Sequence, residues 1–235
     1  MPRPTRVVAV GAPHHITHRG NNRQDVFLSD EDRRRYQHFL RLQLAPCQAD
    51  LLGWCWMSNH VHLIVVPNAG DSLARLVRRV HSSYAQDFNR RRGRDGHLWR
   101  SRFYSCPLGP SHLDAALLYV DRNPVRAAMT GTATAWERSS ARAHVSGHDE
   151  SGLLSAGGLA EFGGCEDWEQ RLQRGQAETA ERALRLATRT GAPFADAAFR
   201  EEMERQLKLV ADRRTGAVGR MRESARSSGP VELTR

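Results

Sequence analysis

The stretch from Trp54 to Val66 constrains the fold more than any other part of the chain. It reads WCWMSNHVHLIVV, which is mostly apolar, aromatic or β-branched, and a turn-forming run follows at 67–70. This composition predicts a single buried strand. Because side chains alternate between the two faces of a strand, His60 and His62 should project from one face and the apolar residues at 61, 63 and 65 from the other.

The two neighbouring histidines offer half of a metal site. Imidazole is a common metal ligand, and two imidazoles on one strand face are already close together. The alternative is a pair of structural histidines, since this side chain is often half buried. Burying two imidazoles in an apolar strand costs free energy unless they find partners. This cost, rather than the spacing alone, favours a ligand role for His60 and His62, and the structural alternative stays open.

The segments around this stretch predict an α+β domain. A first strand is expected at 14–18, a helix begins after a Ser29 N-cap, and a second helix spans 72–91 after Asp71. A third helix spans 111–123, because the proline that follows disfavours helical backbone before it. With room for another strand at 97–108, the order fits helices on one face of a largely antiparallel sheet.

The charge and composition of the chain indicate which kinds of partner it binds. The 235 residues carry 35 Lys and Arg against 26 Asp and Glu, a net charge of +9. This excess favours a polyanionic partner, with nucleic acid first and an anionic membrane second. No apolar run is long enough to span a membrane, and the basic start lacks a signal-peptide core, so we expect a cytoplasmic protein. The four cysteines form no CxxC pair, which argues against a zinc site built on paired cysteines.

Two polar segments are candidates for nucleic-acid contact. The turn at 20–24 carries amide and guanidinium side chains that can bind phosphates or base edges, although an ordinary polar turn is the alternative. Basic and aromatic residues interleave at 97–105, which suits backbone contact with base stacking. The alternative there is an edge strand with a solvated basic face.

Tyr119 is the tyrosine best placed for chemistry. It lies four residues before Asn123 in one predicted helix, so the two side chains share a helix face. Tyr36 and Tyr84 fall on apolar stripes, and Tyr104 lies in the basic-aromatic segment. A core aromatic remains the alternative for Tyr119.

Four blocks in a fixed order carry a family resemblance. They are HHITHRGNNR at 14–23, MSNHVH at 57–62, GHLWRSRF at 96–103 and YVDRNPVR at 119–126. The pattern resembles the REP-associated tyrosine transposases, a branch of the single-tyrosine HUH transposases. The resemblance covers residues 1–145.

The resemblance implies a ferredoxin-like antiparallel sheet with helices on one face. It implies a metal-dependent endonuclease and strand transferase that acts on single-stranded DNA beside imperfect hairpins. Tyr119 would be the nucleophile and form a 5′-phosphotyrosine intermediate, with His60 and His62 holding Mg²⁺ or Mn²⁺. Asn123 matches a position where related transposases carry a glutamine ligand; it is one methylene shorter and precedes a proline, which weakens its assignment as a ligand.

The resemblance and the charge pattern together suggest which residues contact DNA. One group would bind the hairpin or bases beside it: Arg19, Asn21, Asn22 and Arg23. The other would contact the strand entering the site: Arg100, Arg102, Arg122 and Arg126.

We expect four parts along the chain. They are a transposase domain at 1–145, a Gly/Ser-rich linker at 146–165, a helical extension at 166–212 and a basic disordered tail at 213–235. The expected partner is hairpin-containing single-stranded DNA, with no membrane, for a monomer or homodimer associated with the nucleoid.

Other functions stay open. A protein descended from a transposase could bind hairpin DNA without cutting it. A metal-dependent hydrolase of small phosphates is disfavoured by the spread of arginines and the lack of a carboxylate cluster. A replication initiator with the same histidine motif is possible, although no helicase or second-tyrosine feature accompanies it.

Overall fold

The structure is a computed structural model that describes residues 8–162, 164 and 167–205. The described residues up to 196 group into one compact unit, and those from 197 onward belong to another. In the second unit, residues 197–205 are helical. The predicted tail at 213–235 lies outside the described residues. Among the helices described, none has the length and apolar character needed to cross a bilayer.

A four-stranded antiparallel sheet forms the centre of the first unit. Its strands are β1 (His14–Arg19), β2 (Ala49–Trp56), β3 (His60–Pro67) and β4 (Tyr104–Pro107). Their spatial order is β2-β3-β1-β4. Together with the helices, this sheet confirms the predicted α+β class.

The predicted single strand from Trp54 to Val66 is wrong in one respect, because the chain reverses inside it. Strands β2 and β3 pair along their lengths as an antiparallel hairpin around residues 57–59. Ser58 and Asn59 form the turn, and such residues favour turns because their side chains bond nearby backbone. The reversal makes His60 the first residue of β3 and places it at the end of the strand.

Two helices cover one face of the sheet. They are α1 (Asp30–Leu44) and α2 (Ser72–Arg92), close to the predicted bounds. Ser29 caps α1 as predicted, in a reciprocal capping box with Asp32. Asp71 precedes α2 but its side chain makes no capping bond, so that part of the prediction is wrong.

The remaining helices include α3 (Leu113–Asp121), α4 (Asn123–Arg126), α5 (Ala141–Ser146), α6 (Ala156–Phe162), α7 (Trp168–Arg174) and α8 (Glu178–Thr190). Helices α3, α7 and α8 pack around Ile64 and Cys106 on the sheet face opposite to α1 and α2. The sheet therefore carries helices on both faces. Helix α6 lies within the predicted linker and α8 packs against β4; the predicted domain boundaries stay predictions.

A buried ion pair anchors the end of α3. The Asp121 carboxylate lies 2.7 Å from His144 Nδ1 and accepts bonds from Ser140 Oγ at 2.9 Å and Trp168 Nε1 at 3.2 Å. Burial by itself would lower the pKa of His144, but the charge of Asp121 and its hydrogen bond raise that pKa above the usual value. The Nε2 of His144 faces the carbonyl oxygen of Leu52 at 2.9 Å, so both ring nitrogens face acceptors and the ring is an imidazolium.

Candidate active site

A cavity of about 480 Å³ opens on the sheet face that carries α3. His60, His62, Tyr119 and Asn123 all line it. The structure therefore brings together the predicted ligand residues and the predicted nucleophile, from β3, α3 and α4. Residues of β1, β4 and α8 complete the wall: His15, Thr17, Arg19, Tyr104, Arg185, Thr188 and Arg189.

The two histidines project side by side from β3, as the alternation predicted. Their ring centroids are 4.9 Å apart, and their partners across β1 are Arg19 and Thr17. Burial, with a smaller effect of Arg19, lowers the pKa of His60 to about 4. Burial also lowers the pKa of His62, and its neighbouring histidines add to that shift. Both rings are therefore neutral at pH 7, the form in which an imidazole can bind a metal.

Each of these rings is held through its Nδ1 atom. His60 Nδ1 lies 2.7 Å from Asn59 Oδ1, and His62 Nδ1 lies 2.9 Å from His15 Nε2. Among the described residues, no hydrogen bond occupies Nε2 of either ring. The two Nε2 atoms are thus the ones available to a ligand in the cavity.

Tyr119 lies edge-on to His62, with ring centroids 5.7 Å apart. Arg126 reaches over the tyrosine ring, with its Cζ 4.5 Å from the centroid, and Glu181 of α8 holds the guanidinium by a 2.9 Å contact. Asn123 Nδ2 donates to the carbonyl oxygen of Tyr119 at 3.0 Å, which leaves its own Oδ1 without a described partner. A fixed positive charge thus stands beside the phenol.

The donor set suits a divalent cation with open coordination positions. It consists of two neutral imidazole nitrogens and one amide oxygen, from His60, His62 and Asn123. In the part of the chain that the structure describes, no three His, Cys, Asp or Glu side chains cluster in a way that could hold a metal. Any metal here would therefore depend on the amide and on groups supplied by a substrate or water.

Six arginines give the cavity a positive field. They are Arg19, Arg100, Arg102, Arg126, Arg185 and Arg189, and none of the described residues in its lining is acidic. A cleft lined with one sign of charge concentrates ligands of the opposite sign. The cavity therefore suits a polyanion.

Comparison with known proteins shows what the chain is similar to. A family model described as IS200-like transposase matches residues 10–123. The predicted family resemblance is confirmed, and the His-x-His pair, Tyr119 and Asn123 all lie within this transposase domain.

Two solved structures are similar to the chain to different degrees. One is a REP-associated tyrosine transposase bound to a REP hairpin; its TM-score is 0.51 at 18% identity, over 60% of this chain and 82% of that one. A Deinococcus radiodurans R1 protein assigned as a transposase aligns more weakly, with a TM-score of 0.37 at 18% identity, over 48% of this chain and 91% of that one. No curated protein matches the chain significantly.

A second concavity of about 340 Å³ adjoins the active-site cavity of the transposase domain. Gly20 and Arg100 line it together with the predicted hairpin-binding residues, which are Arg19, Asn21, Asn22 and Arg23. Arg19 and Arg100 line both cavities, so the two are neighbours. The loop is a tight turn, since Asn22 and Arg23 have positive φ values of 49° and 61°.

The structure does not bring every predicted DNA contact to the cavity. Arg122 turns away, and its Nη1 lies 1.4 Å from where a Cβ on Gly175 would stand. Trp99 and Phe103 pack in the core under α2, with exposed fractions of 8% each, so they cannot stack on bases. Their apolar area is buried by the core. In that segment Tyr104 does line the cavity, so base stacking there stays a prediction.

Several residues that line the cavity had no clear sign in the sequence. His15 lies on the same face of β1 as Thr17. In the sequence, the adjacent pair His14 and His15 was the feature that could have indicated its role. Thr188 and the arginines of α8 lie beyond the matched transposase domain. The i, i+4 spacing of Arg185 and Arg189 places them on one helix face, but that pattern alone does not tell which face meets the sheet.

Proposed function

We propose that the chain is a metal-dependent single-stranded DNA endonuclease and strand transferase that works through a phosphotyrosine on Tyr119. The observation that carries this proposal is the convergence of Tyr119, His60, His62 and Asn123 on one arginine-lined cavity. A tyrosine buried only for packing would have no reason to share a cavity with unbonded imidazole nitrogens.

In the proposed reaction, the phenol oxygen of Tyr119 forms a bond to phosphorus and the bond from phosphorus to the 3′ oxygen breaks. The phenol proton ends on the released 3′-hydroxyl, and the DNA stays attached through a 5′-phosphotyrosine. A free phenol has a pKa of about 10, so a tyrosine nucleophile needs positive charge nearby. Arg126 supplies such a charge, and its contact with Glu181 holds the guanidinium over the ring.

His60 and His62 would hold Mg²⁺ or Mn²⁺ through their Nε2 atoms, with Asn123 Oδ1 as a third ligand. The bound ion would polarise the scissile phosphate and offset its developing charge. Imidazole nitrogen binds ions that are softer than Mg²⁺ more readily, so this donor set favours Mn²⁺ over Mg²⁺.

We further propose that the concavity around Asn21, Asn22 and Arg23 binds the hairpin. The transposase of similar fold is one bound to a REP hairpin. Because Arg19 and Arg100 line both cavities, a hairpin in the one would deliver its flanking single strand to the other. His62 and Tyr119 of the same chain lie in contact, which supports a monomer that cuts in cis. A cytoplasmic, nucleoid-associated location stays a prediction.

A cleavage assay tests this function. Single-stranded oligonucleotides from the DNA flanking the gene are incubated with Mn²⁺ or Mg²⁺, and the products are separated under denaturing conditions. Wild type is expected to form a covalent protein–DNA band that Tyr119→Phe and His60→Ala lose. Tyr104→Phe is the matched control, because Tyr104 lines the same cavity and lies in β4, and it should keep the band.

The second candidate function is hairpin binding without cleavage. The observation in its favour is that the described ligand set lacks a third imidazole or carboxylate at the cavity. Tight hairpin binding with no covalent band in either metal would favour this candidate and refute the nuclease.

A further inference from the structure

The described contacts place a chain of hydrogen bonds between α8 and His62. Thr188 Oγ1 donates to the carbonyl oxygen of Leu184 at 2.8 Å. The same oxygen lies 2.7 Å from His15 Nδ1. Because the single hydroxyl proton points to Leu184, the threonine oxygen accepts from His15, and Nδ1 of His15 carries a proton.

The proton on His15 decides the state of the next ring. The His15 side chain is buried, and its ring nitrogens contact Thr188 and His62 rather than a carboxylate, so the ring is neutral, carries only this proton, and its Nε2 is an acceptor. That Nε2 lies 2.9 Å from His62 Nδ1, and the two rings are within 4° of parallel. The shared proton must therefore sit on Nδ1 of His62, which leaves Nε2 of His62 with a free lone pair facing the cavity.

His60 reaches the same state by a local route. Asn59 Oδ1 accepts from its Nδ1 at 2.7 Å. Both rings of the His-x-His pair thus have the Nδ1–H tautomer, which presents Nε2 to a metal. For His62, however, the group that sets the tautomer comes from α8, which lies outside the matched transposase domain.

We propose that His15 and Thr188 are positioning residues that hold His62 in the Nδ1–H tautomer and so present its Nε2 to a divalent cation. The proposal rests on the proposed function, because it assumes a cation at this site. His15 itself is not a third ligand, since both its ring nitrogens are engaged. Partners of metal-bound histidines fix the tautomer and ring orientation, and removing them lowers metal affinity by about 10- to 100-fold.

The test compares Thr188→Val with Thr188→Ser in the full chain. Valine keeps the shape but removes the acceptor for His15, whereas serine keeps the hydroxyl. Thr190→Val is the matched control, because the Thr190 hydroxyl bonds the carbonyl oxygen of Leu186 at 2.9 Å in the same helix but is exposed. Mn²⁺ binding is followed by electron paramagnetic resonance, and the tautomers are assigned from ¹⁵N NMR of metal-free protein.

We expect Thr188→Val to bind Mn²⁺ about 10- to 100-fold more weakly than wild type and to lose the pure Nδ1–H signature of His62. Thr188→Ser and Thr190→Val should match wild type in both readouts. Equal Mn²⁺ affinity and an unchanged His62 tautomer in Thr188→Val would overturn the proposal. A wild type that binds no Mn²⁺ would instead overturn the metal site, while the NMR signature would still decide whether the relay sets the tautomer.

Discussion

Replacing Asp121 with asparagine should destabilise the protein strongly, because Asp121 is the counter-charge of a buried imidazolium. Both ring nitrogens of His144 face acceptors, and neither side chain of the pair is exposed to solvent. With an amide at 121, the imidazolium can stay charged without a counter-charge, at a cost of about 3–5 kcal/mol. Alternatively it loses a proton; the amide then cannot serve both His144 Nδ1 and Trp168 Nε1 while His144 also bonds Leu52, so one buried polar group is left unsatisfied, at about 1–3 kcal/mol. The protein takes the less costly of the two responses, so the expected loss is about 1–3 kcal/mol.

Urea unfolding at several pH values measures this loss. The folded pKa of His144 lies above its unfolded value. The contribution of the pair is therefore fully present below the unfolded pKa of about 6.5 and disappears as the pH rises through the folded pKa. The gap between wild type and Asp121→Asn should consequently be larger at pH 6 than at alkaline pH.

Asp114→Asn is the control for this prediction. Asp114 lies in the same helix and contacts Arg171 at 3.0 Å, but its side chain is 51% exposed. Exposed pairs of this kind contribute about 0–1 kcal/mol. If Asp121→Asn cost no more than Asp114→Asn and the difference from wild type did not change with pH, the account of the buried pair would be refuted.

Three other perturbations have expected outcomes. Gly20→Ala should lower the free energy of unfolding by about 1–3 kcal/mol in thermal melts, because the added Cβ would stand 2.2 Å from the Gln24 carbonyl oxygen. Gly70→Ala is the control: there is open space around Gly70, so this variant should change the free energy of unfolding little. Burial holds the pKa of His81 well below its usual value, so the free energy of unfolding should fall as the pH drops below about 6.5. For such a histidine the slope approaches about 1.4 kcal/mol per pH unit. Replacing His81 with glutamine should make this pH dependence less steep, as measured by urea titrations at several pH values. Arg100→Ala should reduce the salt slope of single-stranded DNA binding by about 0.7, and an unchanged slope would exclude a phosphate contact.

The sequence predicted what depends on local periodicity. Alternation along the strand placed His60 and His62 on one face, and both line the cavity. Helical spacing placed Tyr119 and Asn123 together, and both line the cavity, although the predicted single helix is divided and Asn123 begins α4. These predictions succeed because the backbone geometry of a strand or helix alone fixes which residues share a face.

The sequence could not predict contacts that depend on how distant segments pack. Thr188 meets His15 across 173 positions of the chain. The reversal at Ser58 was hidden, because the run around it contains no glycine or proline. Trp99 seemed suited to base stacking, yet the core buries it against His81, with ring centroids 4.3 Å apart. In each case tertiary packing, rather than local pattern, decides the role.

Mass spectrometry of the covalent product tests the central claim most directly. Wild-type protein is reacted with a hairpin-flanked oligonucleotide and Mn²⁺, the DNA is digested to a short remnant, and the modified peptide is sequenced. The account predicts a nucleotide on Tyr119 through a 5′-phosphate. A remnant on Tyr104, or hairpin binding with no modified tyrosine, would contradict it.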